Sequence, residues 1–374
     1  MSNNIISPLI DSLYNTCKLS IKAINKAIGL NTIDFNKLFE ETNLLNKSKE
    51  KPKLHQKLEE EYFTIYRFSI PLGITIDDFI KREEHFKQIL NSNVTIEKNN
   101  YYVDIKILKS TPNAEYDIKQ HKRNDFKIPL GYDMDNNLVL WDFTRSHNAH
   151  CYIASSSGGG KSIQLRVILC HLINSLSKRD IEFSIVNTKR VDLKELQYCK
   201  HTKKYQVGTQ GIEDFLEEEL EEMERRYTLI ENNGCDDLGE LRKQGHRIPY
   251  RLIVIEEISA YKDNKTYQSC ITKLASMGRG AGMLLVMVTQ LPSHEIMPNT
   301  IKCNVNTIIG LKTIDEIRSD IIVPDGNLHK LKGEGHAKLF DGSHSGTEYQ
   351  GLYISKNTMK SIIKANLKKG VQYE

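Results

Sequence analysis

What this 374-residue chain lacks narrows the field first. Its seven cysteines (Cys17, Cys151, Cys170, Cys199, Cys235, Cys270 and Cys303) stand singly, with no C-x-x-C pair and no Cys/His cluster at metal-ligand spacing. An odd, dispersed set argues for reduced thiols in a cytosolic compartment. Long apolar runs are missing too. Stretches such as 283–288 fall far short of the ~20 residues that a membrane-spanning helix needs, and the opening residues lack a signal-peptide pattern. Nor does one sign of charge dominate: 52 basic against 48 acidic side chains leave a net charge of +4. So close a balance neither demands nor excludes nucleic acid, because the clustering of charge decides that. No internal repeat and no long low-complexity tract interrupts the chain.

What is present, 39% hydrophobic and 27% charged residues, suits a soluble globular protein of about two domains. The segment "IISPLIDSLYNTCKLSIKAINKAIGL" predicts an amphipathic helix after Pro8, with a packing or partner face rather than a membrane face. "NKSKEKPKLHQKLEEE" carries Pro52 and dense mixed charge, so residues 1–60 read as a helical segment and linker. "YFTIYRFSI" and "YYVDIKIL" read as strands around the helical "DDFIKREEHFKQIL", a small α+β domain over 61–124. From 125 to 355 strands alternate with helices, which predicts a mostly parallel sheet covered on both faces, and 356–374 is left as a C-terminal tail.

The chemistry centres on "IASSSGGGKS" at 153–162, between the strand "AHCYIA" and the amphipathic helix "SIQLRVILCHLINSL". A glycine loop entering a helix lets backbone N–H groups wrap phosphate oxygens. The candidate nucleotide-binding residues are Ser155, Ser156, Ser157, Gly158, Gly159, Gly160, Lys161 and Ser162, with Lys161 on the β- and γ-phosphates and the Ser162 hydroxyl on Mg²⁺. Ser155 stands where the pattern G-x-x-x-x-G-K-[ST] has its first glycine; a left-handed backbone there would cost serine roughly 1–2 kcal/mol. A flexible small-residue linker is the plain alternative, but linkers rarely carry Gly-Lys-Ser between strand and helix.

The strand "LIVIEE" ends in Glu256 and Glu257. Adjacent strand residues point to opposite faces, which suits Glu256 to the metal and Glu257 to polarising the attacking water. Alone, a strand leaving the core with a solvated Glu-Glu end would be the commoner case. The next strand ends in Thr289-Gln290, where Gln290 is placed to sense a γ-phosphate or merely to cap the strand. Arg279 and Arg318 are candidates to reach a neighbouring subunit's nucleotide, although a surface salt bridge suits either one alone. "EMERRY" (222–227) reads as a solvated helix face with i,i+3 or i,i+4 pairs. "NTKRVDLKE" (187–195) reads as basic, solvated surface.

These residues, in this order, resemble the FtsK/SpoIIIE-type DNA translocases. The family's A-G-T-T-G-S-G-K-S lies over "ASSSGGGKS", and its E-M-E-R-R-Y occurs letter for letter. Its V-I-V-D-E corresponds to "IVIEE", its A-R-A-A-G-I-H-L-V-L-A-T-Q-R-P to "GRGAGMLLVMVTQLP", and its I-K-A-N-I-P-T-R-I-A-F-K to "IKCNVNTIIGLK". The late L-L-G-x-G-D-M-L is similar to "LKGEGHAKL". The likeness covers about 62–355 and implies a RecA-like P-loop ATPase core preceded by a small α+β domain. It implies Glu256 as the metal-side carboxylate, Glu257 as the catalytic one, Gln290 as sensor, and interface roles for Arg279 and Arg318. Ser155 for glycine, Glu256 for aspartate and Leu291 for arginine depart from the pattern; the first two predict slowed hydrolysis at most.

The resemblance implies ATP and Mg²⁺ as cofactors, double-stranded DNA as the track, and a ring-shaped homo-oligomer, a hexamer. The lack of membrane helices and of a C-terminal orientation-reading unit points to the short motors of conjugative plasmids and integrative elements. The expected protein is then a cytoplasmic DNA translocase, peripheral at the membrane only through a transfer-channel or relaxase-type partner held by the N-terminal segment. An FtsK-like ATPase driving protein export, and a nucleotide-binding scaffold without efficient hydrolysis, are the alternatives.

Overall fold

The structure, a computed structural model, describes residues 33–60, 63–90, 92, 94–108, 115–145, 147–342 and 346–371. The helix expected after Pro8 lies outside the described residues. Two compact units divide the chain, Met1–Thr111 and Pro112–Glu374.

The first unit holds α1 (Phe35–Glu41), β1 (Lys53–Glu59), β2 (Phe63–Ser69), α2 (Ile76–Ile80), α3 (Glu83–Leu90), β3 (Val94–Asn99) and β4 (Tyr102–Leu108). Its four strands pair antiparallel in the order β1-β2-β4-β3. Phe35, Phe39, Phe68, Phe79 and Phe86 bury their rings together beneath the sheet. Two expectations change here. Residues 53–59, predicted as linker, are an edge strand that among the described residues pairs with β2 alone. Charged, exposed side chains suit an unpartnered edge, which is why its composition resembles a linker's. The helix predicted over 77–90 is broken near Arg82, whose guanidinium donates to the carbonyls of Thr42 at 2.6 Å, Asp78 at 2.8 Å and Asn43 at 3.0 Å.

The second unit is built on a ten-stranded sheet. Its strands are β5 (Lys127–Asp133), β6 (Leu138–Asp142), β7 (Cys151–Ala154), β8 (Ile181–Asn187), β9 (Thr202–Val207), β10 (Tyr250–Ile255), β11 (Met283–Thr289), β12 (Thr307–Leu311), β13 (His336–Asp341) and β14 (Thr347–Gly351). The spatial order is β6-β5-β14-β13-β12-β7-β11-β10-β8-β9. From β12 to β9 every pairing is parallel; from β12 to β6 every pairing is antiparallel. The parallel part needs crossover helices, whereas the rest is joined by hairpins and returns.

Helices cover both faces. On one side lie α4 (Lys161–Ser175) and α10 (Lys356–Lys364), on the other α5 (Ile212–Asn232) and α7 (Lys265–Met277), with α6 (Leu238–Lys243), α8 (Asn299–Lys302) and α9 (Glu316–Ile322) as shorter pieces. This is the α/β, RecA-like P-loop fold expected from the sequence. The tail expected at 356–374 contains α10, capped by the Ser355 hydroxyl at 3.0 Å and anchored by Met359, Ile362 and Ile363. Because α10 packs on α4, the glycine-loop helix is buried nearly all round instead of on one stripe. Residues 115–124 also belong to this unit: Glu115 bridges to Tyr353, and the Tyr116 hydroxyl lies 3.1 Å from His171 Nδ1.

The "EMERRY" segment is a further correction. Arg225 is exposed and pairs with Glu222 at 2.7 Å, as expected, but Arg226 is buried. Arg226 binds Glu222 at 2.8 Å, Glu182 at 3.1 Å and the Ala281 carbonyl at 3.1 Å. Arg251, also buried, joins Glu182 at 2.5 Å to Glu219 at 3.2 Å, and Ser184 donates to Glu219 at 2.8 Å. Helical periodicity alone could not show that this face lies on the amino end of the sheet.

Candidate functional site

Five parallel strands end at one edge. β7 ends at Ala154, β8 at Asn187, β10 at Ile255, β11 at Thr289 and β12 at Leu311, and the residues that follow them meet there. In open α/β sheets such a carboxyl edge is where ligands bind.

The glycine loop is held by backbone bonds to its neighbours. Ser155 N–H reaches the Thr289 carbonyl at 3.4 Å and Ser156 N–H the Lys312 carbonyl at 3.0 Å, while Ser156 Oγ accepts from Ile314 N–H at 3.0 Å. Gly160 has φ +105°, and a Cβ there would come within 2.9 Å of Gly335 N. At Gly159 a Cβ would lie 2.5 Å from Ser155 Oγ, so serine at 155 itself demands glycine at 159. Ser155 is not left-handed, and the strain considered for it does not arise.

Lys161 is buried. Its ammonium donates to Ser155 O at 3.0 Å, Ser155 Oγ at 2.9 Å and Ser156 O at 3.2 Å, all uncharged oxygens. Burial first, and then the Lys189 charge, bring its pKa down to about 8, with Glu257 pulling the other way. Ser162 Oγ donates to Asp192 Oδ2 at 2.7 Å.

The two glutamates differ. Glu256 is buried, and its Oε2 accepts the Lys189 N–H at 3.3 Å. Burial, with Asp192 and Glu257 adding negative charge, raises its pKa; the Lys189 N–H and charge only partly offset this. Glu257 has φ +60°, ψ 71°. A bulky residue held left-handed costs about 1–3 kcal/mol and persists only where its surroundings force it. They do so here. Oε1 accepts from Ser259 Oγ at 2.6 Å, Thr289 Oγ1 at 2.9 Å and Gln290 N–H at 3.1 Å, and Oε2 pairs with Lys189 Nζ at 3.0 Å. Burial alone would raise the Glu257 pKa, but these donors outweigh it and keep the carboxylate below its ordinary range.

Residues 114–255 match the family model described as the FtsK/SpoIIIE family. This chain carries an FtsK/SpoIIIE-family domain. Among curated proteins similar to this chain, the DNA translocase FtsK of Chlorobaculum tepidum is 27% identical over 287 residues, 71% of this chain and 35% of that protein. FtsK of Borreliella burgdorferi is 30% identical over 233 residues, covering 57% and 28% respectively. The DNA translocase SftA of Bacillus subtilis is 26% identical over 245 residues, 63% of this chain and 25% of the relative. The chain therefore spans about a third or less of the length of these curated relatives. Among solved structures, the monomer form of the pCW3 conjugation coupling protein TcpA with ATPγS superposes with a TM-score of 0.61 at 21% identity, covering 87% of this chain and 97% of that one. The cytoplasmic domain of the type VII secretion ATPase EccC from Thermomonospora curvata gives 0.60 at 18% identity, covering 70% and 34%. Both likenesses speak to fold alone.

At the carboxyl edge the structure brings together Ser155, Ser156, Gly159, Gly160, Lys161, Ser162, Glu256, Glu257 and the backbone of Gln290. Ser157 and Gly158 form the exposed tip of the loop. Two predicted residues take no part in the contacts just described. Arg279 is exposed just before β11, at the sheet's amino end, where its charge acts on His150. Arg318, on α9, pairs with the N-cap residue Asp315. Two site residues escaped the sequence reading: Lys189 and Asp192, both in the stretch "NTKRVDLKE". The signal was its place directly after a buried parallel strand; its basic composition pointed to surface instead.

The donor set suits a hard divalent cation. Ser162 Oγ, oriented by Asp192, and the buried Glu256 are oxygen ligands of the kind Mg²⁺ takes with phosphates, and the raised Glu256 pKa marks a place where positive charge is favoured. Among the described residues no helix is long and apolar enough to cross a membrane.

Proposed function

We propose that this chain is an ATP hydrolase that drives movement along double-stranded DNA, as a ring-forming motor in the transfer or maintenance of a mobile genetic element. The observation that carries the reading is Glu257: a carboxylate forced into left-handed backbone, kept ionised, and held by four donors beside a complete Gly-Lys-Ser loop. The relatives' names as DNA translocases supply the substrate class.

Gly158, Gly159 and Gly160 present backbone N–H groups to the phosphates, and Lys161 exchanges the uncharged Ser155 and Ser156 oxygens for the β- and γ-phosphates. Ser162 and Glu256 would hold Mg²⁺, with Asp192 orienting Ser162, and the bound ion would supply neutralisation of charge on the phosphates. Glu257 orients and polarises the attacking water. Lys189 and the Gln290 N–H keep Glu257 placed, so movement of either strand end alters hydrolysis. Arg279 and Arg318 serve a neighbour's site. Arg279's place far from its own loop suits a head-to-tail interface, the type that closes into rings.

ATP turnover with and without long double-stranded DNA tests this, beside Lys161→Ala and Glu257→Gln. Strong DNA stimulation, abolished by both substitutions, is expected. Nucleotide binding without turnover on any DNA overturns the motor and leaves a scaffold, whereas turnover indifferent to DNA leaves the protein-export reading.

A further inference from the structure

A cavity of about 220 Å³ lies beside the glycine-loop helix, between α4, the 192–195 segment and α10. Arg166, Lys194, Lys356 and Lys360 line it, with Asp192 and Glu195 as the carboxylates. Asp192 is already engaged by the Ser162 hydroxyl at 2.7 Å. Arg166 is the decisive residue. Its side chain is only 7% exposed, and its Nε–H is buried with no partner. Among the described residues its one hydrogen bond, NH1 to the Ile354 carbonyl, is long at 3.5 Å, and no carboxylate pairs with it.

A buried guanidinium without an anion is costly, and buried charges are ordinarily paired. The comparison within the same unit is direct: Arg226 and Arg251 are also buried, and each binds two or more carboxylates. Arg166 instead faces a cavity whose other cations are exposed lysines on two different elements. The planar fork of arginine with ammonium groups around it is the arrangement that takes phosphate oxyanions.

We propose that this cavity is a second anion site, distinct from the glycine loop, which binds a phosphate group through Arg166, Lys194, Lys356 and Lys360. The phosphate comes either as a free ion or as part of a nucleic-acid backbone; the recognition chemistry is the same. Because Asp192 lines the cavity and also holds Ser162, an occupant here acts on the nucleotide site through one shared carboxylate. The site does not depend on the chain being a motor.

The test is inorganic phosphate binding, measured by titration calorimetry on the full chain carrying Lys161→Ala, which removes the glycine-loop contribution. Adding Lys194→Met, Lys356→Met and Lys360→Met is expected to weaken the remaining binding about tenfold or more. These lysines are exposed, so folding is not at stake; Arg166→Met is the sharper variant and needs a matching melting curve. The triple variant with Lys161 intact keeps ATP affinity within about twofold, which separates failure of this site from failure of the nucleotide site. A duplex that displaces the phosphate identifies the backbone as its source, and phosphate binding that a duplex leaves unchanged identifies the free ion. Phosphate binding that is undetectable, or equal with and without the three lysines, overturns the proposal.

Discussion

The same sheet carries two clusters of buried charge, one at each end, and they are built on opposite rules. At the amino end Glu182, Glu219, Glu222, Arg226 and Arg251 satisfy one another, and Glu219 is fully buried. At the carboxyl edge, among the described residues, Lys161 binds neutral oxygens alone, Glu256 has one donor at 3.3 Å, and Glu257 is held in strained backbone. Balanced charge is structural. Charge left short of partners, with its pKa displaced, is where a ligand belongs.

The comparison breaks most sharply at Glu257. Glu257→Gln keeps the shape but removes the carboxylate proposed to polarise the attacking water, so turnover is expected to fall by about 10²–10⁴ with ATP binding retained, read by steady-state kinetics and nucleotide titration. Wild-type turnover in this variant would make the carboxyl edge as structural as the amino end.

The reverse experiment is Arg226→Met. Removing one partner of a buried ionic network costs about 3–5 kcal/mol, so a large drop in the urea midpoint is expected while KM for ATP in the folded fraction stays put. The same network sets an acid limit. Glu222 is partly desolvated, which alone would raise its pKa, but Arg225 and Arg226 bring it down to about 2. A depressed carboxylate contributes stability above its unfolded pKa and loses it as pH falls, so this part of the stability fades between about pH 4.5 and 2.

The carboxyl edge has its own pH signature, at the alkaline side. Free Lys161 loses its proton near pH 8, because burial and Lys189 disfavour the ammonium. ATP affinity is expected to weaken above that pH, toward about tenfold per unit. Lys161→Arg, which stays charged, flattens the profile if this assignment holds. The same depressed pKa makes folding slightly more favourable as pH rises from about 8 to the unfolded value, since the unfolded chain then binds more protons.

The smallest effect is expected at Ser155→Gly. Ser155 is buried without left-handed strain, and its Oγ only bonds the Ser156 carbonyl and Lys161. Losing one such bond is worth about 1 kcal/mol, so hydrolysis should move by less than about tenfold. Gly159→Ala, by contrast, places a methyl 2.5 Å from Ser155 Oγ and should disable the loop.

By itself, the sequence determined the alternation of strands and helices, the glycine loop at a helix start, and the Glu256-Glu257 pair at a strand end. All are local patterns with a fixed period or spacing. It did not determine the edge strand at 53–59, whose exposed polar residues resemble a linker, or α10, which reads as a tail because its apolar residues are few. Nor could it separate Arg225 from Arg226. Only the tertiary structure decided that one of two neighbouring arginines is solvated and the other buried, and that Lys189 and Asp192 belong to the site. Both depend on which strand ends lie side by side, and the β7-β11-β10-β8 order is a long-range property that no local pattern contains.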